Sequence, residues 1–321
     1  MDKSRESELF GYVYGKCKDW DVISSESPDF VCIRNKVPVL GAEITDLYHT
    51  ESDARLRKID GYGLALLSGG DFRHKDDKRR IRVERVKYLK GGKGPGREIT
   101  AIIQERPSFA EAVSRLINTI EQKEQRVEAY LRACPVVDLI VDDPSRMFWF
   151  EKYEDFFLPF SQLSNRIAII NSRFREVFLV TSNQQNIIVR IPLKLSLFAE
   201  DVTIYEELIL NTSKSKKRGD PTKWLSILLC CLFQSGYENI GVENIDGCIG
   251  LVVGSHLYLY SREGKVIRDY ITMPEGLPKA ELISETFHKA GESERQIAGR
   301  LIRERSGYKC CMALYSEVKK D

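Results

Sequence analysis

The chain has 321 residues, of which 42% are hydrophobic and 10% aromatic, enough for one large or two ordinary globular domains with a real core. A formal net charge of +2 hides an asymmetry: from Arg73 to Arg97 eleven Lys and Arg stand against three acids, a local excess of +8, which leaves about −6 for the remainder. No apolar run approaches the roughly 18 to 20 residues that span a bilayer, and the charged start from Met1 to Glu8 lacks the character of a secretory signal, so a cytoplasmic protein without a membrane partner is expected.

The spacing predicts a first helix over 4–18, opening at Ser4, with Glu6, Phe10, Val13 and Cys17 on one stripe and Glu8 on a neighbouring face with Tyr12. Next come Pro28 and Asp29, then an extended run from Phe30 to Arg34, a turn at Asn35-Lys36, and a return from Val37 to Thr45. Side chains alternate along strands, so such a hairpin can bring Asp29 and Glu43 to one point. Two carboxylates at one point suit a hard divalent cation such as Mg²⁺. The competing reading is an aspartate in a surface turn and a solvated strand glutamate.

Residues 48–59 read as a charged helix, broken by Gly61, Gly63, Gly69 and Gly70. In the basic segment at about 70–100, Ile81, Val83, Val86 and Leu89 predict a strand or ribbon. It carries Lys78, Arg79, Arg80, Arg82, Arg85, Lys87, Lys90 and Lys93, either as a solvated loop or as a surface that releases counterions from a nucleic acid. The glycine-rich stretch at 91–96 lacks the order of a phosphate-binding loop and reads as a loop tip. Ser108 and Glu111 form a capping box ahead of the clearest helix, whose stripe of Val113, Leu116, Ile117, Ile120 and Val127 includes Lys123. That lysine either snorkels past the core edge or enters a polar pocket.

Pro135 to Val141 reads as a buried strand, followed by an aromatic cluster from Phe148 to Phe160 that suits core packing or base stacking. Strands are expected at Glu176 to Thr181 and Ile187 to Leu195. A polar, breaker-rich stretch at 211–223 then reads as a boundary, giving domains at 1–210 and 211–321. Beyond it the pattern predicts a helix near Trp224 to Phe233, strands near Gly247 to Val253 and His256 to Ser261, and a helix from Ser293 to Arg305. This smaller α+β region carries no catalytic constellation and is open to partner binding or dimerisation. The eight cysteines include no C-x-x-C, and the four histidines are widely separated, which argues against zinc, disulfide and Ser/His or Cys/His chemistry.

Pro28-Asp29, a gap, then Glu43-Ile44-Thr45 resembles the PD-(D/E)XK, or restriction-endonuclease-like, nuclease superfamily over roughly the first 140 to 200 residues, by element order rather than extended identity. The resemblance implies an α/β fold with a mixed central sheet flanked by helices. It implies phosphodiester hydrolysis, of DNA more than RNA, as in restriction or antiviral defence. Asp29, Glu43 and the Ile44 carbonyl would hold Mg²⁺, with Mn²⁺ as a substitute. Glu6 would join from the first helix, with Glu8 as the fallback. Thr45 departs from the family, which has lysine there: it can hydrogen-bond a water but brings no charge. Lys123 would then supply the missing ammonium from the following helix. Thr45 and the basic segment equally suit a nucleic-acid-binding protein that has lost cleavage.

Overall fold

Alternation along one strand sorts the two faces of the central sheet. In β3 (Val37–Asp46), Leu40, Ala42 and Ile44 face one side, while Gly41, Glu43 and Thr45 face the other. A computed structural model of the chain describes residues 3–15, 20–88, 96–148, 160, 162–182, 187–212, 221–238, 240–245, 248–261, 264–269, 290–305 and 316–317. Among the described residues β3 lies within a seven-stranded sheet. Its neighbours are β1 (Asp21–Ser24) and β2 (Phe30–Arg34) on one side, and β6 (Val137–Asp142), β7 (Val177–Ser182), β8 (Ile188–Pro192) and β13 (Ser316–Glu317) on the other, in the order β1-β2-β3-β6-β7-β8-β13. β3, β6 and β7 run parallel and the remaining pairs are antiparallel. The sheet is therefore mixed and helix-flanked.

Helix α1 (Lys3–Tyr14) lays Leu9, Phe10 and Val13 on the face made by Phe30, Cys32, Leu40, Ala42, Ile44 and Ile140. It ends at Tyr14, four residues short of the expected stop. On the opposite face α5 (Phe109–Glu124) packs Ala112, Val113, Leu116 and Ile120 against Leu47, Val137, Leu139 and Val141. Its capping box is formed as expected: Ser108 accepts from the Glu111 amide and Glu111 accepts from the Ser108 amide at 2.7 Å. With helices on both faces, every residue of β6 and β7 is buried, including Asp138 and Asp142 of β6.

Between β3 and α5 the chain forms α2 (Glu51–Lys58), α3 (Tyr62–Leu67), α4 (Asp77–Arg80) and the antiparallel ribbon β4 (Ile81–Tyr88) and β5 (Arg97–Gln104). Tyr62, Leu66 and Ile81 make a small core of their own. The buried Asp77 carboxylate ties its helices together, accepting from Arg55 at 2.7 Å and from the Tyr62 hydroxyl at 2.8 Å. After α5 come α6 (Val127–Tyr130) and, past β6, α7 (Leu163–Ile170).

The run expected as strand to Leu195 ends at Pro192, and a 20-residue helix, α8 (Leu193–Thr212), follows at once. α8 serves two cores: Leu193 and Leu197 join the sheet's, whereas Phe198, Val202, Tyr205 and Leu208 join a second. The second core includes α9 (Pro221–Gln234), α10 (Glu292–Arg305) and a four-stranded meander of β9 (Ile240–Ile245), β10 (Cys248–Val253), β11 (His256–Ser261) and β12 (Gly264–Asp269). The cores thus meet inside α8, ahead of the polar stretch at 211–223. Buried charges join them: Arg175 pairs with Asp138 of β6 and with Asp269 of β12 at 2.6 Å, and His256 lies 3.0 Å from Glu176. Arg166 of α7 is 1% exposed and pairs with Glu200 and Asp201 of α8, which also hold Arg305 of α10. Phe148 and Phe160 are core residues, whereas 149–159 lie outside the described residues. Cys32, Cys134, Cys230 and Cys231 are buried free thiols.

Candidate functional site

The β2–β3 hairpin turns at Asn35 and Lys36, both with positive φ (51° and 66°), the conformation of a tight two-residue hairpin turn. Beside the turn, Arg34 pairs with Val37 and Ile33 with Pro38; beyond it, Cys32 pairs with Leu40 and Phe30 with Ala42. One extra residue, Val39, has entered the return strand as a bulge. The bulge decides the site. Asp29 immediately precedes β2, and continuing the register one step past Phe30 and Ala42 would set it opposite Glu43. Without the bulge Asp29 would oppose Ala42 and share that residue's face instead.

Gly41 lets the chain close around this point. A Cβ there would meet Pro28 Cγ at 2.7 Å and Val137 Cγ2 at 3.3 Å, and would overlap the Cys134 sulfur. The Asp29 carboxylate accepts from the Ile44 amide at 2.8 Å. Burial lifts its pKa to about 6; the Ile44 hydrogen bond opposes the rise, and the charges of Glu43 and Glu6 add to it.

Glu43 is buried and receives Lys123, whose Nζ lies 2.6 Å from Oε1. Lys123 therefore enters a polar pocket. Its place on the apolar stripe of α5 aims it at the sheet face that carries Glu43, and its side chain stays 22% exposed. The other oxygen of Glu43, Oε2, is buried, as is the Tyr130 hydroxyl, which interacts with the Glu43 carboxylate. Burial, followed by the Glu43 charge and a hydrogen bond to Glu43, pushes the Tyr130 phenol above its ordinary range. Thr45 is half-buried, two residues beyond Glu43 on the same face.

Glu6 is buried on the inner stripe of α1, as its phase predicts, but its carboxylate is taken by Lys3 at 3.1 Å. The same ammonium lies 3.9 Å from Asp29, so Lys3 stands between the two acids. Glu8 is on the outer face, bonded to Arg5 and Tyr12. Among the described residues no three of His, Cys, Asp and Glu converge closely enough to hold a metal ion. What the fold does bring together is Asp29, Glu43 and Lys123, with Tyr130 beside them. Sequence reasoning missed Lys3 and Tyr130. The three-residue spacing from Lys3 to Glu6 on one helix was available as a signal; for Tyr130 there was none.

In the basic segment, Lys78, Arg79 and Arg80 on α4 and Arg82, Arg85 and Lys87 on β4 are all exposed. Arg82 contacts Glu105 at 3.4 Å. The guanidinium groups of Arg79 and Arg80 have no ion-pair or hydrogen-bond partner among the described residues. Lys90 and Lys93 lie outside the described residues. Among the described residues no helix is long and apolar enough to cross a membrane. No protein-family model, curated protein or solved structure matches the chain.

Proposed function

We propose that the chain is a metal-dependent nuclease of the PD-(D/E)XK, restriction-endonuclease-like type, hydrolysing phosphodiester bonds of DNA. One observation carries this reading: the Asp29 carboxylate holds the Ile44 amide beside Glu43, close enough to feel the Glu43 charge, and Lys123 reaches Glu43 at 2.6 Å from another element. A lysine beside the second carboxylate is what the motif requires and what Thr45 cannot provide.

The residues fit a hard cation. Glu43 is buried between Lys123 and the Tyr130 phenol, with Asp29 near enough to add its charge, so the pocket offers oxygen donors out of bulk water. Asp29 and Glu43, with the Ile44 carbonyl, would offer oxygen donors to Mg²⁺ or Mn²⁺, leaving its other positions to water and phosphate. A cation held there supplies a water of lowered pKa and polarises a phosphoryl oxygen. Lys123 holds a positive charge beside the pair, where negative charge grows during phosphoryl transfer. Lys3, between Glu6 and Asp29, keeps Glu6 from serving as a third ligand.

The test is cleavage of labelled single-stranded and duplex DNA in Mg²⁺ or Mn²⁺ by the wild type and by Asp29→Asn, Glu43→Gln and Lys123→Met. Cutting by the wild type alone is expected. Equal cutting by all four proteins would reject this site. Salt-sensitive binding without cutting would make the chain a binding protein that has lost catalysis.

A further inference from the structure

Two cavities of about 220 Å³ and about 710 Å³ lie side by side between α2, α4 and residues 104–107, where β5 runs toward α5. Both are lined by Thr50, Arg79, Arg80 and Glu105, so they are two parts of one groove. Its walls carry seven Arg or Lys against four acids. Three of those acids are already engaged, Asp53 by Arg57 and Ser145, Glu105 by Arg82, and Asp76 by His74, and of the cations Arg55 is held by Asp77, Lys58 by Asp46 and Arg82 by Glu105. Arg79 and Arg80 line both parts with guanidinium groups that have no partner among the described residues. Tyr48 supplies an aromatic wall, with the Lys58 ammonium over its ring at 5.0 Å.

From this groove we infer that the substrate is single-stranded nucleic acid, with its phosphates on Arg79 and Arg80. The inference rests on the nuclease reading for what happens to the strand, though not for its binding. A basic groove that tracks one backbone beside an aromatic ring is how single strands are held without regard to sequence. A duplex is a wide rod that lies across roughly 1,000 to 2,500 Å² of protein surface, whereas a single backbone can enter a groove walled by α2, α4 and residues 104–107. The groove is also joined to the carboxylates. β3 carries Glu43 and continues directly into Tyr48 and Thr50, and five residues of extended chain span at most about 18 Å. A strand lying in the groove is therefore within a few nucleotides' length of Glu43.

The test uses the full chain carrying Asp29→Asn, which blocks turnover, and fluorescence anisotropy with labelled oligothymidylate, oligouridylate and a DNA duplex of equal length. Both single strands are expected to bind at least about tenfold more tightly than duplex; a difference between them identifies DNA or RNA as the preferred strand. Adding Arg79→Glu and Arg80→Glu is expected to weaken single-strand binding at least about tenfold and to flatten its salt dependence. If charge reversal lowers the melting temperature, Arg79→Gln and Arg80→Gln carry the same comparison. Duplex binding as tight as single-strand binding would overturn the inference. So would unchanged single-strand binding by folded Arg79 and Arg80 variants. Single-strand preference without cleavage by the wild type in Mg²⁺ or Mn²⁺ would support the groove while rejecting the nuclease reading.

Discussion

The Asp29 carboxylate holds the Ile44 amide at 2.8 Å, beside Glu43, at the end of a hairpin whose register is shifted one step by the extra residue Val39. The turn at Asn35-Lys36 alone would set a register one step out, with the two carboxylates on opposite faces of the sheet. Deleting Val39 is therefore expected to abolish metal-dependent stabilisation while the hairpin persists. Thermal melting with and without Mn²⁺ reads this: the wild type melts higher with the ion and the deletion variant does not.

Lys123 and Glu43 form a largely buried pair. Lys123→Met leaves a buried carboxylate without its cation, and an expected loss of about 1–3 kcal/mol of stability follows. Because Glu43→Gln removes the charge that needs a partner, the double variant is expected to be less destabilised than the sum of the singles. Urea unfolding of all four proteins in a double-mutant cycle measures that coupling.

The buried Asp29 carboxyl, held at about 6, makes stability depend on pH. An unfolded aspartate titrates near 3.9, so the folded state binds this proton more tightly. Its contribution is fully present below about pH 4 and is lost as pH rises through 6. Asp142, which burial also lifts to about 6, titrates in the same window, so the informative quantity is a difference. Urea midpoints of the metal-free wild type are expected to fall more steeply between pH 4 and 7 than those of Asp29→Asn.

Arg166 supplies a control away from the site. It is fully buried on Glu200 and Asp201, and Arg166→Met leaves those acids short of one cation, at an expected cost of about 3–5 kcal/mol. Differential scanning calorimetry is expected to show a much lower melting temperature. The Mn²⁺-dependent stabilisation of the fraction that folds should persist, because the network does not touch Asp29 or Glu43.

The elements that place the candidate site were legible where a local pattern carried them. The Ser108–Glu111 capping box, the α5 stripe and the alternation of β3 each depend on neighbours a few residues apart, and they put Lys123 and Glu43 on facing surfaces. The bulge was not legible, since Pro38-Val39 reads as ordinary strand whichever register forms. α8 was missed because it is apolar around much of its circumference, and Leu193 to Leu197 continue the run of β8 without a breaker. Pairings such as Arg166 with Asp201 or Arg175 with Asp269 join distant parts of the chain, and no spacing announces them. The groove beside Arg79 and Arg80 was half visible: the basic run was evident, its concave setting against Thr50 and Tyr48 was not.

Crystals soaked in Mn²⁺ and measured at its absorption edge test the metal pair most directly. The account predicts an anomalous peak bonded to both Asp29 and Glu43 in the wild type, absent from Glu43→Gln. Occupied Mn²⁺ elsewhere with none at this pair, or a peak unchanged in Glu43→Gln, would contradict it.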